Sequence, residues 1–371
     1  MIAAKIEDVV KHNFYNHFIS HRPASGVLEV SDTLLGLHSA RLITPYATLI
    51  SRIDGFKTRQ LYDEVTINTN LIKLRCMRKT LHTVSMELAP IVYHATLKLR
   101  TAECTEFYRR FGYSGKKIAS LKERMLGIID AAPSSSADVA EKVNSKWGVH
   151  FTRVVLKELW EEGTICYINE SEDWRKEKRK YALTKSVYPK LDFTIMDEVL
   201  SQEILVLKHI ESYGPVTEKD ISWWSGIPLR SVRKIIDKNR DKIVNLEISG
   251  FDAAFYMSAL RFETNVKENK NGINDNWIAL LAYEDPSLKG YFESRSRYIE
   301  DKYYHLLFNS IGEARASIVK NGKVIGIWHW NKKTNEPEFS LFTRLNKQDK
   351  QLLSIEIDKF KMCLQEQLFV A

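Results

Sequence analysis

Basic side chains in the middle of the chain have the types and spacing of a phosphate-binding surface. In the stretch LRSVRKIIDK the apolar residues recur at helical spacing, and the opposite side of that helix carries Arg230, Arg233, Lys234 and Lys238. The charged stretch WRKEKRK holds a second group, made of Arg175, Lys176, Lys178, Arg179 and Lys180. Such clusters neutralise the phosphates of nucleic acids. The simpler alternatives are a solvated helix face and a charged tip that protects a sheet edge.

Two further groups of residues belong to the same surface in this interpretation. Arg153 and Lys157 lie one helical turn apart, although nearby glutamates weaken their positive field. Trp174 stands beside the charged stretch, where an indole could stack on a base or enter a groove. Of Trp223 and Trp224, we expect at least one to be a core residue rather than a base-stacking platform.

A histidine within an apolar stretch raises a separate question. Residues 34–53, LLGLHSARLITPYATLISRI, keep a helical apolar period and predict a buried helix that contains His38. The neighbours of this histidine are the small residues Gly36, Ser39 and Ala40. Either His38 is a satisfied core residue, or the small residues clear space beside it. The spacing leaves both interpretations open.

Composition sets broad limits on the protein that carries these residues. A chain of 371 residues with 44% hydrophobic content is long enough for two to four domains with a substantial core. A net charge of +8 makes polyanionic partners plausible without requiring them. The sequence contains no long apolar run, and it begins with acids and lysines at helical spacing, so we expect a cytosolic protein without membrane contact.

Several kinds of site are not predicted. The four cysteines are scattered without the paired spacing of a zinc site, and we interpret them as reduced core thiols: Cys76, Cys104, Cys166 and Cys363. We find no phosphate loop, nucleophile elbow or paired-carboxylate motif. The sequence therefore gives no support for a nuclease, an NTPase or a metalloenzyme, and no metal or cofactor is expected.

The elements that would position the basic residues form a pattern that appears twice. In the first copy, helices are predicted from Ser120, from Ser135 or Ser136 as N-cap, and from Thr152 to Gly163. The stretches TICYIN and YALT then alternate as strands around the charged stretch. Three helices followed by a hairpin are the plan of a winged helix.

The second copy has the same plan with little sequence identity. Its first helix begins near Glu203, and its second follows Thr217 and Asp220, which have nearly the spacing of a capping box. Gly226 ends that helix, and Pro228 suits the first turn of the basic helix. The stretch IVNLEISGFDAAFYM supplies a shorter hairpin.

The two ends of the chain complete an α+β organisation. Residues 1–115 contain the strand-like centre NLIKLRCMRKTLHTV and are predicted to be a diverged unit of the same type. Residues 116–192 and 193–260 are the two winged helices. Residues 261–371 should form a small α+β domain, with a hairpin turning at Asn321 and Gly322 and an amphipathic helix in NKQDKQLLSIEIDKFKMCLQEQL.

Five stretches of the sequence carry a resemblance to a known family. In chain order they are GLHSARLITPYATL, LRCMRKTLH, GPVTEKDISWWSGIP, LLAYEDPSLKGYFESRSRYI and VIGIWHW. With them the chain resembles the bacterial winged-helix DNA glycosylases typified by AlkZ and YcaQ, from about residue 25 to its C-terminus. The resemblance implies three tandem winged helices with a C-terminal β-rich element, around a concave surface for duplex DNA. It also implies hydrolysis of the glycosidic bond of N7-alkylated purines, including some bulky or cross-linked adducts.

The resemblance assigns a role to His38. The family's catalytic motif has three positions: a glutamine, an apolar residue, and then a glutamine or aspartate. The two polar positions are the catalytic pair, and the motif falls on His38, Ser39 and Ala40. His38 can hold a water molecule, whereas Ala40 has no polar group. An N7-alkylated purine leaves readily, so the enzyme mainly orients water and stabilises an oxocarbenium-like sugar. With a pKa of about 6.5, a histidine could also act as a general base.

Residues around LRCMRKTLH are expected near the same cleft. Alternation along one strand puts Arg78 and His82 on one side and Arg75 on the other, and Arg78 is the expected DNA contact. Asp285, in another family-like stretch with Tyr291 and Arg295, is explained by a turn without any function.

Two hypotheses follow. The first is a monofunctional DNA glycosylase that acts as a monomer on damaged duplex DNA in the cytoplasm, at the nucleoid, with His38 positioning or activating water. The second is a winged-helix protein that binds DNA without catalysis, as a regulator or a lesion sensor, in which Ala40 marks the loss of the reaction. In both, His38 has the alternatives of a DNA-contacting and a merely structural role.

Overall fold

The protein has a mixed α+β fold. A computed structural model describes residues 2–20, 23–143, 148–171, 173–268, 276–331, 333–334 and 336–365, without the side chains of 264–268. The N-terminal region contains β1 Ile2–Ala4, α1 Ile6–Asn16, α2 Val27–Thr33, β2 Leu37–His38, α3 Thr44–Ile50, α4 Thr58–Thr66, β3 Leu71–Arg75, β4 Leu81–Ser85 and α5 Leu88–Phe111.

The helix predicted over residues 34–53 is wrong. The chain leaves α2, forms the short strand β2 and enters α3 only at Thr44. Gly36 adopts a φ of +104°, and a Cβ there would lie 2.7 Å from Cγ1 of Val84, so only glycine fits between the two segments. Pairing of β2 with β4 overrides the helical spacing of the apolar residues. His38 consequently lies on a strand.

The single strand predicted around Cys76 is also wrong, because this segment folds back on itself. Strands β3 and β4 pair antiparallel, and a 3-10 turn over Met77–Lys79 joins them. The sheet order is β2-β4-β3, so β4 lies between the strand of His38 and β3. Arg75 pairs with Glu161, away from the segment that carries Arg78.

Residues 115–183 contain three helices and then a hairpin, as predicted, with different helix starts. The elements are α6 Gly115–Ala131, α7 Ser136–Val143, α8 Val149–Glu161, β5 Ile165–Asn169 and β6 Arg179–Leu183. Helix α6 begins five residues early because Ser114 accepts a hydrogen bond from the amide of Lys117. Thr152 does not open α8; its hydroxyl donates to the carbonyl of Gly148 within the first turn. Ser135 caps α7 as predicted, and residues 144–147 of that predicted helix lie outside the described residues.

Residues 184–258 begin with a short extra helix and then repeat this order. They form α9 Thr184–Val187, α10 Glu198–Tyr213, α11 Glu218–Ser225, α12 Leu229–Lys238, β7 Ile243–Ile248 and β8 Phe255–Ser258. The predicted capping box of Thr217 and Asp220 is confirmed, and so is the end of α11 at Gly226, which has a φ of +79°. Strand β1 from the N-terminus adds to this hairpin in parallel with β7.

The C-terminal region is built on a four-stranded antiparallel sheet of order β12-β11-β10-β9. Its elements are α13 Ala259–Glu268, β9 Ile278–Leu281, α14 Pro286–Lys289, α15 Asp301–Leu307, β10 Ser317–Lys320, β11 Lys323–Asn331, β12 Glu336–Leu341 and α16 Lys347–Leu364. The hairpin at Asn321 and Gly322 is confirmed, with both residues at positive φ. The amphipathic helix α16 is also confirmed over Lys347–Leu364, and residues 366–368 of the predicted stretch lie outside the described residues.

The hydrophobic core crosses these regions. One cluster of buried side chains includes Val84, Trp224 and Leu288, which belong to the N-terminal sheet, to α11 and to α14. The four cysteines are buried free thiols, as predicted. In the described ranges, no helix has the length and apolar character needed to cross a bilayer. The site described next lies where these three regions pack together.

Candidate active site and nucleic-acid interface

A small cavity lies at the junction of β2, β4, α11 and α14. Its volume is about 30 Å³, which is enough for a water molecule and too little for a purine base. The charged and imidazole side chains that line it are His38, Arg78, His82, Glu284 and Lys289. Among the residues predicted for the site, His38, Arg78 and His82 are thus brought together.

His38 and His82 form the centre of this cavity. They are directly opposite each other in the β2–β4 pair, so both side chains lie on one face of the sheet. Their ring centroids are 5.5 Å apart with the planes at 90°. His38 is 7% exposed, and its Nδ1 atom is buried without a hydrogen-bond partner in the described structure.

The tautomer of His82 follows from its neighbour. Its Nδ1 lies 3.3 Å from the carbonyl oxygen of Thr80, which can only accept a hydrogen bond. Nδ1 also lies 3.5 Å from the Thr80 hydroxyl and from Sγ of Cys76. The tautomer in which Nδ1 donates to the carbonyl leaves Nε2 with an acceptor lone pair. Together the two imidazoles can bind a water molecule.

Burial keeps both imidazoles neutral. It lowers the pKa of His38 to about 2, with smaller contributions from His82 and then from the positive charges of Lys289, Arg78 and Arg41. It lowers the pKa of His82 to about 4, partly offset by the hydrogen bond to Thr80. The ordinary histidine pKa assumed from the sequence is therefore wrong for His38. A neutral ring still orients water, but His38 is a poor base toward a free water molecule.

Arg78 reaches the cavity from a strained turn. Arg78 and Lys79 both have positive φ, at 51° and 59°, a conformation that the surroundings must support. The guanidinium carbon of Arg78 lies 3.7 Å from the centre of the Trp223 ring. Trp223 in turn stacks on Phe292 with the ring centroids 5.4 Å apart. Trp223 thus supports Arg78, whereas Trp224 is the buried core residue expected of this pair.

Glu284, Lys289 and Arg295 were not predicted as site residues. Glu284 accepts a hydrogen bond from the amide of Ala314, and its carboxylate lies 3.2 Å from Nζ of Lys289. Burial lowers the pKa of Lys289 to about 8. The sequence places all three in the stretch LLAYEDPSLKGYFESRSRYI, but nothing local indicates that Glu284 and Lys289 line a cavity with residues of β2 and β4.

Asp285 has a structural role, in agreement with the turn predicted there. Its carboxylate forms a bidentate ion pair with Arg52, at 2.7 and 3.0 Å, and both side chains are fully buried. It also accepts a hydrogen bond from the amide of Ser287 at the start of α14. This pair fixes α14, which carries Lys289, to the N-terminal region. Tyr291 is likewise buried and donates to the carbonyl of Tyr213.

A much larger groove of about 1330 Å³ opens beside the small cavity. Tyr283 lines this groove, and its ring centroid lies 6.4 Å from that of His38. Arg41 lies over the Tyr283 ring at 3.4 Å. The groove is also lined by residues of β11, β12 and α3 and by the basic stretch through Arg175 and Lys176.

The basic stretch between β5 and β6 is partly neutralised by its own acids. Arg175 and Lys176 pair with Asp173, Arg179 pairs with Glu177 and Lys180 pairs with Glu170, whereas Lys178 is exposed. Trp174 is buried against Tyr46, with the ring centroids 4.7 Å apart. Trp174 is one of the residues that line the groove, but packing against α3 leaves it only 2% exposed, so the expectation that it stacks on a base or enters a groove is wrong.

The other predicted DNA contacts lie on exposed helix faces. Arg153 is exposed on α8, and Lys157 pairs with Glu103. The four basic residues of α12 are exposed, with ion pairs from Arg233 to Glu218 and from Lys238 to Glu203. Among the described residues, these side chains do not line the cavity or the groove.

Comparison with solved structures gives the class of fold. The chain is similar to the DNA glycosylase AlkZ of Streptomyces sahachiroi, with a TM-score of 0.79 and 17% sequence identity over 98% of each chain. A comparison with curated protein sequences found no match. The family model of the AlkZ-like DNA glycosylases matches residues 32–361. The chain belongs to the AlkZ-like DNA glycosylase family, which places it among proteins of DNA repair.

Proposed function

We propose that this protein is a monofunctional DNA glycosylase that removes N7-alkylated purines from duplex DNA, with a water molecule positioned by His38 and His82. It works as a monomer in the cytoplasm, and residues 1–115, 116–192 and 193–260 act as three winged-helix units with residues 261–371 as the C-terminal domain. The observation that carries the proposal is the cavity of about 30 Å³ with two neutral imidazoles on its wall.

The neutral state of both rings suits this reaction. When the C1′–N9 bond breaks, its electron pair goes to the alkylated purine, which already carries a positive charge, and the sugar becomes an oxocarbenium ion. A protonated histidine beside C1′ would repel that ion, whereas a neutral imidazole does not. Low pKa values therefore favour departure of the base.

The proton of the attacking water also has a destination. The water oxygen forms a bond to C1′ and becomes a strongly acidic oxonium group. Even an imidazole with a pKa of about 4, such as that of His82, accepts a proton from such a group. His38 then positions the water, and His82 receives its proton through Nε2 and returns it to solvent.

The groove beside the cavity accommodates the DNA. Its volume of about 1330 Å³ exceeds what a single nucleotide needs. Tyr283 and Arg41 line it, and the Tyr283 ring lies 6.4 Å from the ring of His38. Arg175, Lys176 and Lys178 supply positive charge at the stretch between β5 and β6, and Arg153, Lys157, Arg179, Lys180 and the basic face of α12 extend the phosphate-binding surface. Arg78 binds close to the reacting nucleotide.

The test uses duplex DNA that contains N7-methylguanine, with abasic sites revealed by alkaline cleavage. We expect base release by the wild type, loss of at least about 100-fold in rate for His38→Ala, and activity retained in part by His38→Gln, which can also hold a water. DNA affinity should stay unchanged in both variants. His150→Ala, at an exposed histidine of α8, is the matched control. Full activity of His38→Ala would rule out this role.

One observation favours a second function. Ala40 leaves the family's second catalytic position without a polar group, as expected if the protein binds damaged DNA without cleaving it. Salt-sensitive binding of the duplex, with no base release by the wild type on methylated or bulkier N7 adducts, would identify this case.

A further inference from the structure

Three cations surround the Trp223 ring beside the small cavity. The guanidinium carbon of Arg78 lies 3.7 Å from the ring centroid, and Nζ of Lys289 and the guanidinium carbon of Arg295 each lie 4.7 Å from it. They come from three separate segments: the β3–β4 turn, α14 and the 3-10 turn Arg295–Arg297. We call these three side chains the Trp223 cation cluster.

The cluster has more positive charge than its described neighbours balance. Lys289 pairs with Glu284, and it donates a second hydrogen bond to the carbonyl of Gly312. In the described part of the chain, the Arg78 and Arg295 guanidinium groups have no carboxylate within ion-pair distance. Lys289 and Arg295 are only 6% and 4% exposed. Burial of cations without counterions is costly, so the arrangement favours binding of an anion.

Arg295 has a donor group that is not used within the protein. Its Nε donates to the carbonyl of Tyr291, and one terminal nitrogen donates to the hydroxyl of Tyr304. The other terminal nitrogen, Nη2, is buried and has no partner among the described residues. A buried guanidinium held by two hydrogen bonds, with its remaining nitrogen unpaired, is preorganised for an anionic oxygen.

We propose that the Trp223 cation cluster binds one phosphodiester group of the DNA backbone, next to the nucleotide whose base is removed. Arg78 and Lys289 also line the cavity of His38 and His82, so a phosphate bound here lies beside the reacting sugar. The single negative charge of the phosphate offsets part of the positive charge of the three cations. Without it, these cations would repel an oxocarbenium ion at C1′ more strongly. This inference rests on the proposed glycosylase function.

The test is a set of duplexes in which one phosphate at a time, on either side of an N7-methylguanine, is replaced by a neutral methylphosphonate. With the wild type, replacement at one position should weaken binding about tenfold or more. With Arg78→Gln, the same replacement should weaken binding by less than about threefold, because this variant has already lost a partner of the phosphate.

Further variants keep the test independent of folding. Arg295→Gln changes a buried residue, so its far-UV circular dichroism and thermal melting are measured first, and Lys289→Gln provides a second variant from another segment. Arg110→Gln, an exposed residue of α5, is the control and should leave the methylphosphonate profile unchanged. The phosphate site is refuted if, at every position, methylphosphonate replacement weakens DNA binding by the cluster variants as much as by the wild type.

The outcomes separate this inference from the proposed function. Base release from the unmodified duplex is followed in parallel. A position is coupled to the cluster if methylphosphonate there weakens binding by the wild type more than by the cluster variants. Base release without any coupled position overturns the phosphate site alone. A coupled position without any release supports the phosphate site and overturns the glycosylase. If inorganic phosphate raises the melting temperature of the wild type and not of Arg78→Gln, while no position is coupled, the cluster binds a free ion and the proposal for DNA is wrong.

Discussion

His38 and His82 lie opposite each other on neighbouring antiparallel strands, with perpendicular rings whose centroids are 5.5 Å apart. The motif implied by the resemblance has its two polar groups two residues apart in the sequence, whereas this pair comes from two strands. Burial lowers the pKa of both rings, to about 2 and about 4. The site therefore has two polar groups despite Ala40, and both are neutral at physiological pH.

The pH dependence of base release should reflect these low pKa values. Both histidines are neutral above about pH 5, and Lys289, with a pKa of about 8, is still protonated at pH 7, so the rate should vary by less than about twofold between pH 6 and pH 7. Below pH 5 it should fall, since protonation of His82 removes the proton acceptor and adds positive charge near the sugar. Single-turnover rates from pH 4 to pH 8.5, corrected for uncatalysed base loss, provide the measurement. A rise in rate centred near pH 6.5 would instead mean that a histidine with an ordinary pKa acts as the base.

A different buried histidine should be one of those that lower stability in acid. His209 stacks between Tyr213 and Trp224, at centroid distances of 4.7 and 4.4 Å, with Asp220 and the backbone of Gly290 as its polar neighbours. Burial lowers its pKa to about 3. In the unfolded chain its pKa is near 6.5, so its contribution to stability is complete above pH 6.5 and is lost as the pH falls toward 3.

The variant His209→Phe tests this linkage. Phenylalanine keeps the stacked ring and cannot bind a proton. The free energy of unfolding of the variant should therefore fall less steeply than that of the wild type as the pH is lowered from 6 to 4, with slopes that differ by about 1.4 kcal/mol per pH unit. Urea unfolding at several pH values measures the difference. His150→Phe, at an exposed site, should follow the wild type. Parallel curves for His209→Phe and the wild type would show that this histidine is not the origin of the effect.

Local sequence signals predicted the helical units better than they predicted the site. Thr217, Asp220 and Gly226 define α11 because caps act through bonds to their own helix. His38 was placed on a helix because apolar spacing does not reveal that β2 pairs with a strand more than forty residues away. Lys289 and Arg295 meet Arg78 only through packing of distant segments around Trp223. His38 and His82 were both expected near one cleft, and the fold was needed to show that they lie directly opposite each other.

The position of Ala40 allows the motif of the family to be restored. Ala40 follows two residues after His38, just beyond the end of β2, and is exposed, so a longer polar side chain there should cost little stability. Because a second polar group two residues after His38 would hold the same water, Ala40→Gln should raise the single-turnover rate roughly tenfold. Ala40→Met has similar length without the amide and should leave the rate unchanged. Equal rates for both variants and the wild type would mean that His38 and His82 already hold the water as firmly as the family's own pair of residues could.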